Sequence, residues 1–205
     1  MSLEGDLEII VVDGGSTDGT VQLIKEAGPG VHLLHSVKNR AKQMNHGASQ
    51  ARGDVLLFLH ADSSLPADVA TLIENAFGCR RCIGGGFSLA IDDRACIYRL
   101  IAYFSNLRAR FLGQLFGDQA IFIRREAFER LGGFEEIELM EDMDFSRRAK
   151  RIGRMIQLPE KVESSARRWK RSGVWRTIWL MQKIKLMYFM GVNPGKLKKM
   201  YADVR

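Results

Sequence analysis

Hydrophobic and polar positions form alternating blocks along the first third of the chain. Three short apolar runs, each ending in polar residues, are typical of strands buried in a parallel sheet. These runs are residues 7–12, 31–35 and 54–59. The stretches that follow them carry helix caps, glycine stops or an opening proline, and they predict helices. These stretches are residues 21–27, 38–51 and 67–77. The repeated strand–helix order predicts an α/β fold with a mainly parallel sheet.

The rest of the chain continues this mixture. Strands are predicted at 83–91 and 118–123, and helices at 96–112, 125–131, 140–152, 174–190 and 196–201. In open α/β sheets the ligand crevice lies at the carboxyl ends of the strands. Asp13 and Asp62 follow the first and third runs. We therefore expect their side chains to face one site.

Composition narrows the class of protein. With 205 residues, 46% hydrophobic and 27% charged, the chain is typical of a single globular domain, not of a disordered or collagen-like protein. Three cysteines do not make a disulfide framework and favour a reducing compartment, hence a cytoplasmic location. The apolar stretch 174–190 is interrupted by charged residues, so we expect no membrane span.

The net charge of +7 hides an asymmetry. Residues 1–146 hold 14 Lys and Arg against 21 Asp and Glu, a net −7, whereas residues 147–205 hold 17 against 3, a net +14. An acidic body with a basic tail argues against nucleic acid as the partner, which the total alone would suggest. We predict two units: residues 1–165, and a basic amphipathic helical segment at 166–205.

Four clusters carry candidate chemistry. Asp13 opens a Gly-rich turn before a helix, a setting that suits a nucleobase or ribose but also an ordinary capped turn. His60 and Asp62 lie two positions apart after a strand, where both could bind a divalent metal that keeps open positions for phosphate. The other two clusters follow these in the chain.

Three carboxylates, Glu141, Asp142 and Asp144, stand at a predicted helix start, where acids are also favoured without any function. Asp142 and Asp144 lie about 200° apart on a helix, so one should face the site and the other solvent or a nearby arginine. The basic run 167–171 includes Trp169 and suits a diphosphate, because Arg forms bidentate bonds to phosphate oxygens.

Taken together, the chain resembles the family 2 glycosyltransferases, which have a GT-A fold. The matching stretches are EIIVVDGGSTDGT, NRAKQMNHGASQARGDVLLFLHAD, GDQAIFIRREAFERLGGF, MEDMDFSRR and SSARRW, in the family's order. The resemblance implies a three-layer sandwich around a mainly parallel sheet, followed by C-terminal helices. It also implies an inverting, metal-dependent enzyme that moves a sugar from a nucleotide-diphosphate sugar to an acceptor hydroxyl.

The resemblance also implies residue roles. Asp13 would contact the nucleobase or ribose, and Arg40 and Asn45 would line the nucleotide side. In the DxD-like motif, Asp62 would bind Mn²⁺ or Mg²⁺, with His60 where the family has an Asp. The remaining roles fall on the second half of the site. Gly117 and Asp118 would border the acceptor, Glu141 and Asp142 would form the acid–base pair with Asp142 as general base, and Arg168 and Trp169 would close over the diphosphate.

The chain departs from the family at its start. The family begins with one more strand and helix, whereas only a few residues precede the first apolar run here. A missing central strand leaves open backbone edges, which favour pairing with another chain, so we expect a homodimer. Degeneracy of this kind leaves a second hypothesis open, a non-catalytic protein that binds nucleotide-sugars. A phosphatase related to haloacid dehalogenases fits less well, because its two Asp stand two positions apart and here Asp13 and Asp18 stand five apart.

The basic tail combines Lys and Arg with tryptophans and methionines. Such a helix can lie in the interface of an anionic membrane, or it can simply pack on the catalytic body. The resemblance favours a lipid-linked or membrane acceptor, which would make the protein peripheral on the cytoplasmic face. The identity of the acceptor is left open.

Overall fold

A computed structural model describes residues 6–202, apart from the side chains of Arg168 and Ala202. The strands are β1 (Ile9–Asp13), β2 (Val31–His35), β3 (Val55–Phe58), β4 (Ser63–Ser64), β5 (Cys82–Ile91), β6 (Ile121–Arg124) and β7 (Arg154–Ser164). The helices are α1 (Thr20–Glu26), α2 (Arg40–Gln50), α3 (Val69–Ala76), α4 (Cys96–Leu112), α5 (Arg125–Leu131), α6 (Glu141–Ile152), α7 (Arg167–Ser172), α8 (Val174–Phe189) and α9 (Pro194–Ala202).

The strands form two groups. β1 pairs with β2 in parallel, and a five-stranded sheet has the order β3-β6-β5-β7-β4. In the larger sheet β5 and β7 are parallel and the other pairs are antiparallel. Helix α2 packs against β1 and shares a core with Leu56 and Phe58 of β3, so one helix supports both groups. The predicted α/β class is confirmed.

β1 is less covered than its apolar sequence predicts. Only Asp13 of this strand is buried, and Ile9 is 41% exposed. The reason is that β1 pairs with β2 alone among the described strands, which leaves its other edge without a strand partner. The homodimer expected from such an edge stays a prediction.

The strand predicted at 118–123 begins later, at Ile121, because a 3-10 turn occupies Gly117–Gln119. β7 has no counterpart among the predicted strands, since Pro159 and the polar residues around it hide its strand pattern. The glycines of β5 let it run close to both neighbours. A Cβ at Gly84 would overlap the carbonyl oxygen of Phe122 in β6, and one at Gly85 would overlap that of Ile156 in β7.

The C-terminal helices pack on the body. Leu180, Ile184 and Leu197 form a small core together with Leu139 and Met140, which directly precede α6. The acid-rich start of α6 is therefore joined to α8 and α9 by apolar contacts. Among residues 6–202, no helix is both long and apolar enough to cross a bilayer. The division at residue 165 stays a prediction.

Candidate active site

The three carboxylates of α6 point in different directions. Oδ2 of Asp142 accepts the backbone N–H of Gly117 at 2.9 Å, and Oδ1 accepts the N–H of Met143 at 2.7 Å. Asp144 instead pairs with Arg148 one turn later at 2.6 Å. The divergence predicted from helical spacing is thus observed, and Asp142 is the one that faces the other site residues.

Arg40 connects three parts of this site. Its guanidinium contacts Nε2 of His60 and lies 3.3 Å from Oε1 of Glu141, whose side chain is 2% exposed. Burial alone would lower the pKa of Arg40, but the charges of Glu141, Asp142 and Asp118 outweigh it and the pKa is raised. The guanidinium is therefore a fixed positive charge among these three acids.

Gly117 lies where these groups meet. A Cβ there would overlap Nε2 of His60 and lie 2.8 Å from Nη2 of Arg40, so no side chain fits without displacing one of them. The structure therefore brings together Arg40, His60, Gly117, Glu141 and Asp142, all predicted as site residues, from α2, the segment after β3, the 3-10 turn and α6. Asp118 follows in the same turn and contributes charge to Arg40.

Asp13 lies at the end of β1, apart from the group around Gly117. Its carboxylate accepts N–H groups of Gly15 at 2.9 Å and Ser16 at 3.1 Å. The hydrogen bonds from Ser16 and then Gly15 hold the pKa of Asp13 below its ordinary value. Gln43, on the same helix as Arg40, donates to the carbonyl of Val12 at 2.9 Å and so links Asp13's strand to the centre of the site.

Asn45 is not part of this group. Its Nδ2 donates to the carbonyl of Phe134 at 2.8 Å, and its Oδ1 accepts the N–H of Phe134 at 2.9 Å. Both ends of the amide therefore hold the loop before α6. Asn45 therefore supports the position of that loop, and its place along the nucleotide side, which the resemblance implies, stays a prediction.

Asp62 and His60 do not share a strand face, because β3 ends at Phe58 and both residues lie in the turn after it. His60 faces the Arg40 guanidinium, an unsuitable neighbour for a metal ligand. Within residues 6–202, no cluster of three or more His, Cys, Asp or Glu is arranged to hold a metal. Of the two predicted ligands, the hard carboxylate of Asp62 fits a divalent cation, and His60 in this orientation does not.

The basic run begins α7 beside Asp62. Ser164 pairs with Ser63, and the N–H of Ser165 donates to the carbonyl of Asp62 at 3.1 Å. Arg168 and Trp169 are in the first turn of α7. The Arg168 side chain lies outside the described part of the chain, so its predicted contact with diphosphate stays a prediction.

Two further cations lie near the acids, and no sequence motif points to them. Arg108 of α4 and Lys185 of α8 both face the ring of Phe116, with Cζ 3.7 Å and Nζ 5.0 Å from its centroid. Their helices are amphipathic segments far apart in the chain. Only the packing of α8 on the body brings Lys185 to the site.

Two helices present apolar side chains to solvent. On α4 these are Leu100, Tyr103, Phe104, Leu107, Phe111 and Leu112. On α8 they are Trp175, Trp179, Leu186 and Phe189, with Trp175 74% exposed. The spacing of three and four residues on α4 forms a continuous stripe. Helix α8 thus packs on the body, as one of the two predictions has it. It also has the exposed apolar face that membrane binding would need.

Sequence comparison identifies the family. The model of the family described as "Glycosyl transferase family 2" matches residues 3–132. The chain therefore belongs to glycosyl transferase family 2.

Curated relatives are similar over most of this chain. A PGL/p-HBAD biosynthesis glycosyltransferase of Mycobacterium bovis is 31% identical over 152 residues, which are 69% of this chain and 57% of the relative. An uncharacterised glycosyltransferase of Mycobacterium tuberculosis is 28% identical over 151 residues, 71% of this chain and 58% of the relative. The chain thus spans a little over half the length of these relatives.

Solved structures show the same fold. A mannosyltransferase from Pyrobaculum calidifontis, in complex with GDP-Man and Mn²⁺, superposes with a TM-score of 0.62 at 21% identity, over 86% of this chain and 51% of that one. TarS 1–349 from S. aureus superposes with a TM-score of 0.57 at 18% identity, over 78% and 52%. The predicted GT-A fold is confirmed.

Proposed function

We propose that this protein is an inverting glycosyltransferase that moves a sugar from a nucleotide-diphosphate sugar to an acceptor hydroxyl. The observation that carries the proposal is the setting of Asp142. Its Oδ2 is held by the N–H of Gly117, and Arg40 and Glu141 lie beside it. Family membership and the nucleotide-sugars in the structures of GT-A neighbours support the same reaction.

Asp142 is the general base in this proposal. It takes the proton of the acceptor hydroxyl, the hydroxyl oxygen attacks the anomeric carbon, and the bond from that carbon to the donor phosphate breaks with inversion. The nucleoside diphosphate leaves with the bonding electrons. A positioned base contributes about 10²–10⁴-fold to such a rate. The N–H of Gly117 orients the carboxylate, while Glu141 neutralises and positions Arg40.

The donor would lie along the row from Asp13 to Arg40. Asp13 is proposed to contact the nucleobase or ribose, and Arg168 and Trp169 the diphosphate. Asp62 would hold a divalent cation, which would neutralise charge on the diphosphate. Its position next to the start of α7, through the bond from Ser165 to its carbonyl, supports this placement. Gly117 and Asp118 would border the acceptor.

The test exploits the two acids of α6. Asp142→Asn should keep donor binding, measured by thermal shift with a panel of nucleotide-sugars and Mn²⁺, and lose about 10²–10⁴-fold of transfer. Asp144→Asn is the matched control, because Asp144 only pairs with Arg148, and its transfer rate should match wild type. Normal turnover by Asp142→Asn would refute the base assignment. If the wild type binds the donor but neither transfers the sugar nor hydrolyses the donor, the alternative of a non-catalytic binding protein is favoured.

We also propose that the protein associates with the anionic cytoplasmic face of a membrane, where it would meet a lipid-linked acceptor. The exposed apolar side chains of α4 and α8 and the +14 charge of residues 147–205 support this. Vesicles of anionic lipid should sediment the protein at low salt and release it at high salt. Trp175→Ser with Trp179→Ser should weaken sedimentation, and failure of the wild type to sediment at low salt would end the proposal.

A further inference from the structure

Two cationic side chains of different helices converge at the edge of the proposed active site. Arg108 and Lys185 both face the ring of Phe116, which is 8% exposed. The residue after Phe116 is Gly117, whose N–H binds Asp142. The positive charges therefore lie next to the segment that positions the proposed base.

The hydrogen bonds of Arg108 do not neutralise its charge. Nε of Arg108 donates to the carbonyl of Gln114 at 3.3 Å, and Nη2 donates to Oε1 of Gln119 at 3.2 Å. Both acceptors are neutral. In the described part of the chain, neither Arg108 nor Lys185 forms an ion pair with a carboxylate.

The two positive charges are partly shielded from solvent, and they repel each other. Burial and, after it, the charge of Arg108 lower the pKa of Lys185 to about 8, while Asp118 and Asp142 act in the opposite direction. Burial also lowers the pKa of Arg108, against the charges of the same two acids. Both side chains are only partly buried, but charges that have lost part of their hydration are normally paired. An oxyanion between these two would relieve both the desolvation and the repulsion.

The position of this pair indicates which substrate it would meet. Gln43 ties the strand of Asp13 to the helix of Arg40, and Arg40 pairs with Glu141 beside Asp142. Phe116, with its two cations, directly precedes Gly117, whose N–H binds Asp142. The nucleotide is proposed to bind at Asp13. The opposite end, beside the proposed base, is where an acceptor must approach.

We infer that Arg108 and Lys185 bind an oxyanion carried by the acceptor, a carboxylate or a phosphate group, and hold it beside Asp142. Two hydrogen bonds fix the orientation of the Arg108 guanidinium. The ammonium group of Lys185, on a flexible side chain of α8, would bind the same oxyanion. Assignment of the oxyanion to the acceptor rests on the proposed function, whereas anion binding at this pair does not.

The direct test uses the full chain with ¹³C-labelled lysine. The NMR resonance of Lys185 is identified by its loss in Lys185→Arg, and its pKa is measured in chloride, inorganic phosphate and acetate at equal ionic strength. Binding should raise the pKa of Lys185 by about one pH unit or more in one of the two oxyanions. Lys183 on the same helix, near Trp179, should not respond. An unchanged pKa of Lys185 in both would overturn the inference.

A kinetic test then assigns the oxyanion to its substrate. With an acidic acceptor, Lys185→Met should raise KM for the acceptor about ten- to hundredfold, a larger loss than any change in donor hydrolysis measured without acceptor. Lys183→Met is the control, and Lys185→Arg should restore most of the affinity. Equal losses in transfer and donor hydrolysis would place the oxyanion on the donor and refute the acceptor assignment. A protein without any transfer would still show the NMR response, so failure of the proposed function is recognisable separately.

Discussion

The carboxylates of Asp13 and Asp142 are held in two different ways. The partners of Asp13 are the N–H groups of Gly15 and Ser16, two and three residues away. Asp142 accepts one N–H from the adjacent Met143, but its other N–H partner is Gly117, 25 residues away in the chain. Its charged neighbours Arg40 and Lys185 come from α2 and α8.

Because of this difference, we expect the two ends of the site to differ in how strongly a change in packing disturbs them. The end at Asp13, which we call the nucleotide end, is a local turn and persists wherever β1 and α1 are in place. The end at Asp142, which we call the acceptor end, depends on the packing of several elements. Substitutions that disturb packing should therefore damage the acceptor end while the nucleotide end still binds its ligand.

Of the substitutions proposed here, Gly117→Ala should disturb the acceptor end most strongly. The added methyl would overlap His60 and press on Arg40, and it would shift the N–H that holds Asp142. A misplacement of about 1 Å can cost 10²-fold in rate, and overpacking costs about 1–3 kcal/mol of stability. We expect transfer to fall at least about 10²-fold while nucleotide binding persists.

Gly30→Ala is the control for that experiment, because a Cβ there meets nothing within 4 Å. Transfer and nucleotide binding are measured on both variants, alongside chemical denaturation. Undiminished transfer by Gly117→Ala would show that the close contact of Gly117 with His60 and Arg40 is not needed for the reaction.

Arg40→Met should distinguish an ion pair that has a buried carboxylate from an ion pair at the surface. Removal of the guanidinium leaves the buried carboxylate of Glu141 without that partner, which costs about 1–3 kcal/mol of unfolding free energy. Arg52→Met removes the pair with Glu8 at a position where Arg52 is 81% exposed, and its unfolding free energy should stay close to that of the wild type. Urea denaturation of both variants measures the difference, and equal losses would contradict the central position given to Arg40.

The sequence is informative where chemistry and neighbours are close in the chain. The turn after Asp13 and the divergence of Asp142 from Asp144 follow from spacing alone, and the helix at Cys96–Leu112 has the predicted bounds. The resemblance implies that Asn45 lies along the nucleotide side, but it gives no sign that the amide binds Phe134, 89 positions away. Such a contact has no local signal, because it arises only when α2 packs against the loop before α6.

The same reasoning explains the cations that no motif revealed. Lys185 stands in a helix whose one other lysine, Lys183, is exposed, and its sequence context is that of an ordinary amphipathic segment. Its setting arises from the packing of α8 through Leu180 and Ile184, which is a property of the tertiary structure. His60 shows the reverse case, since its spacing from Asp62 suggested a metal ligand and the approach of Arg40 gives it a different neighbour.

Asp13→Asn should have the smallest effect, confined to the nucleotide end and dependent on pH. The pKa of Asp13 lies below its ordinary value of 3.8, because the charged form accepts the N–H bonds of Ser16 and Gly15. Its contribution to stability is therefore complete above the unfolded pKa and is lost as the pH falls through the lower, folded pKa. The wild type should melt at a higher temperature than Asp13→Asn at pH 7, and this difference should shrink below about pH 3.8.

Asp68→Asn serves as the control, since Asp68 precedes α3 without a side-chain capping bond among the described residues. Its melting temperature should stay close to wild type at pH 7. Transfer by Asp13→Asn at saturating donor should be reduced less than by Gly117→Ala, because the neutral amide oxygen still accepts a hydrogen bond from the turn. A difference in melting temperature that grows as the pH falls would contradict the lowered pKa and, with it, the view that this end of the site is held by its own turn.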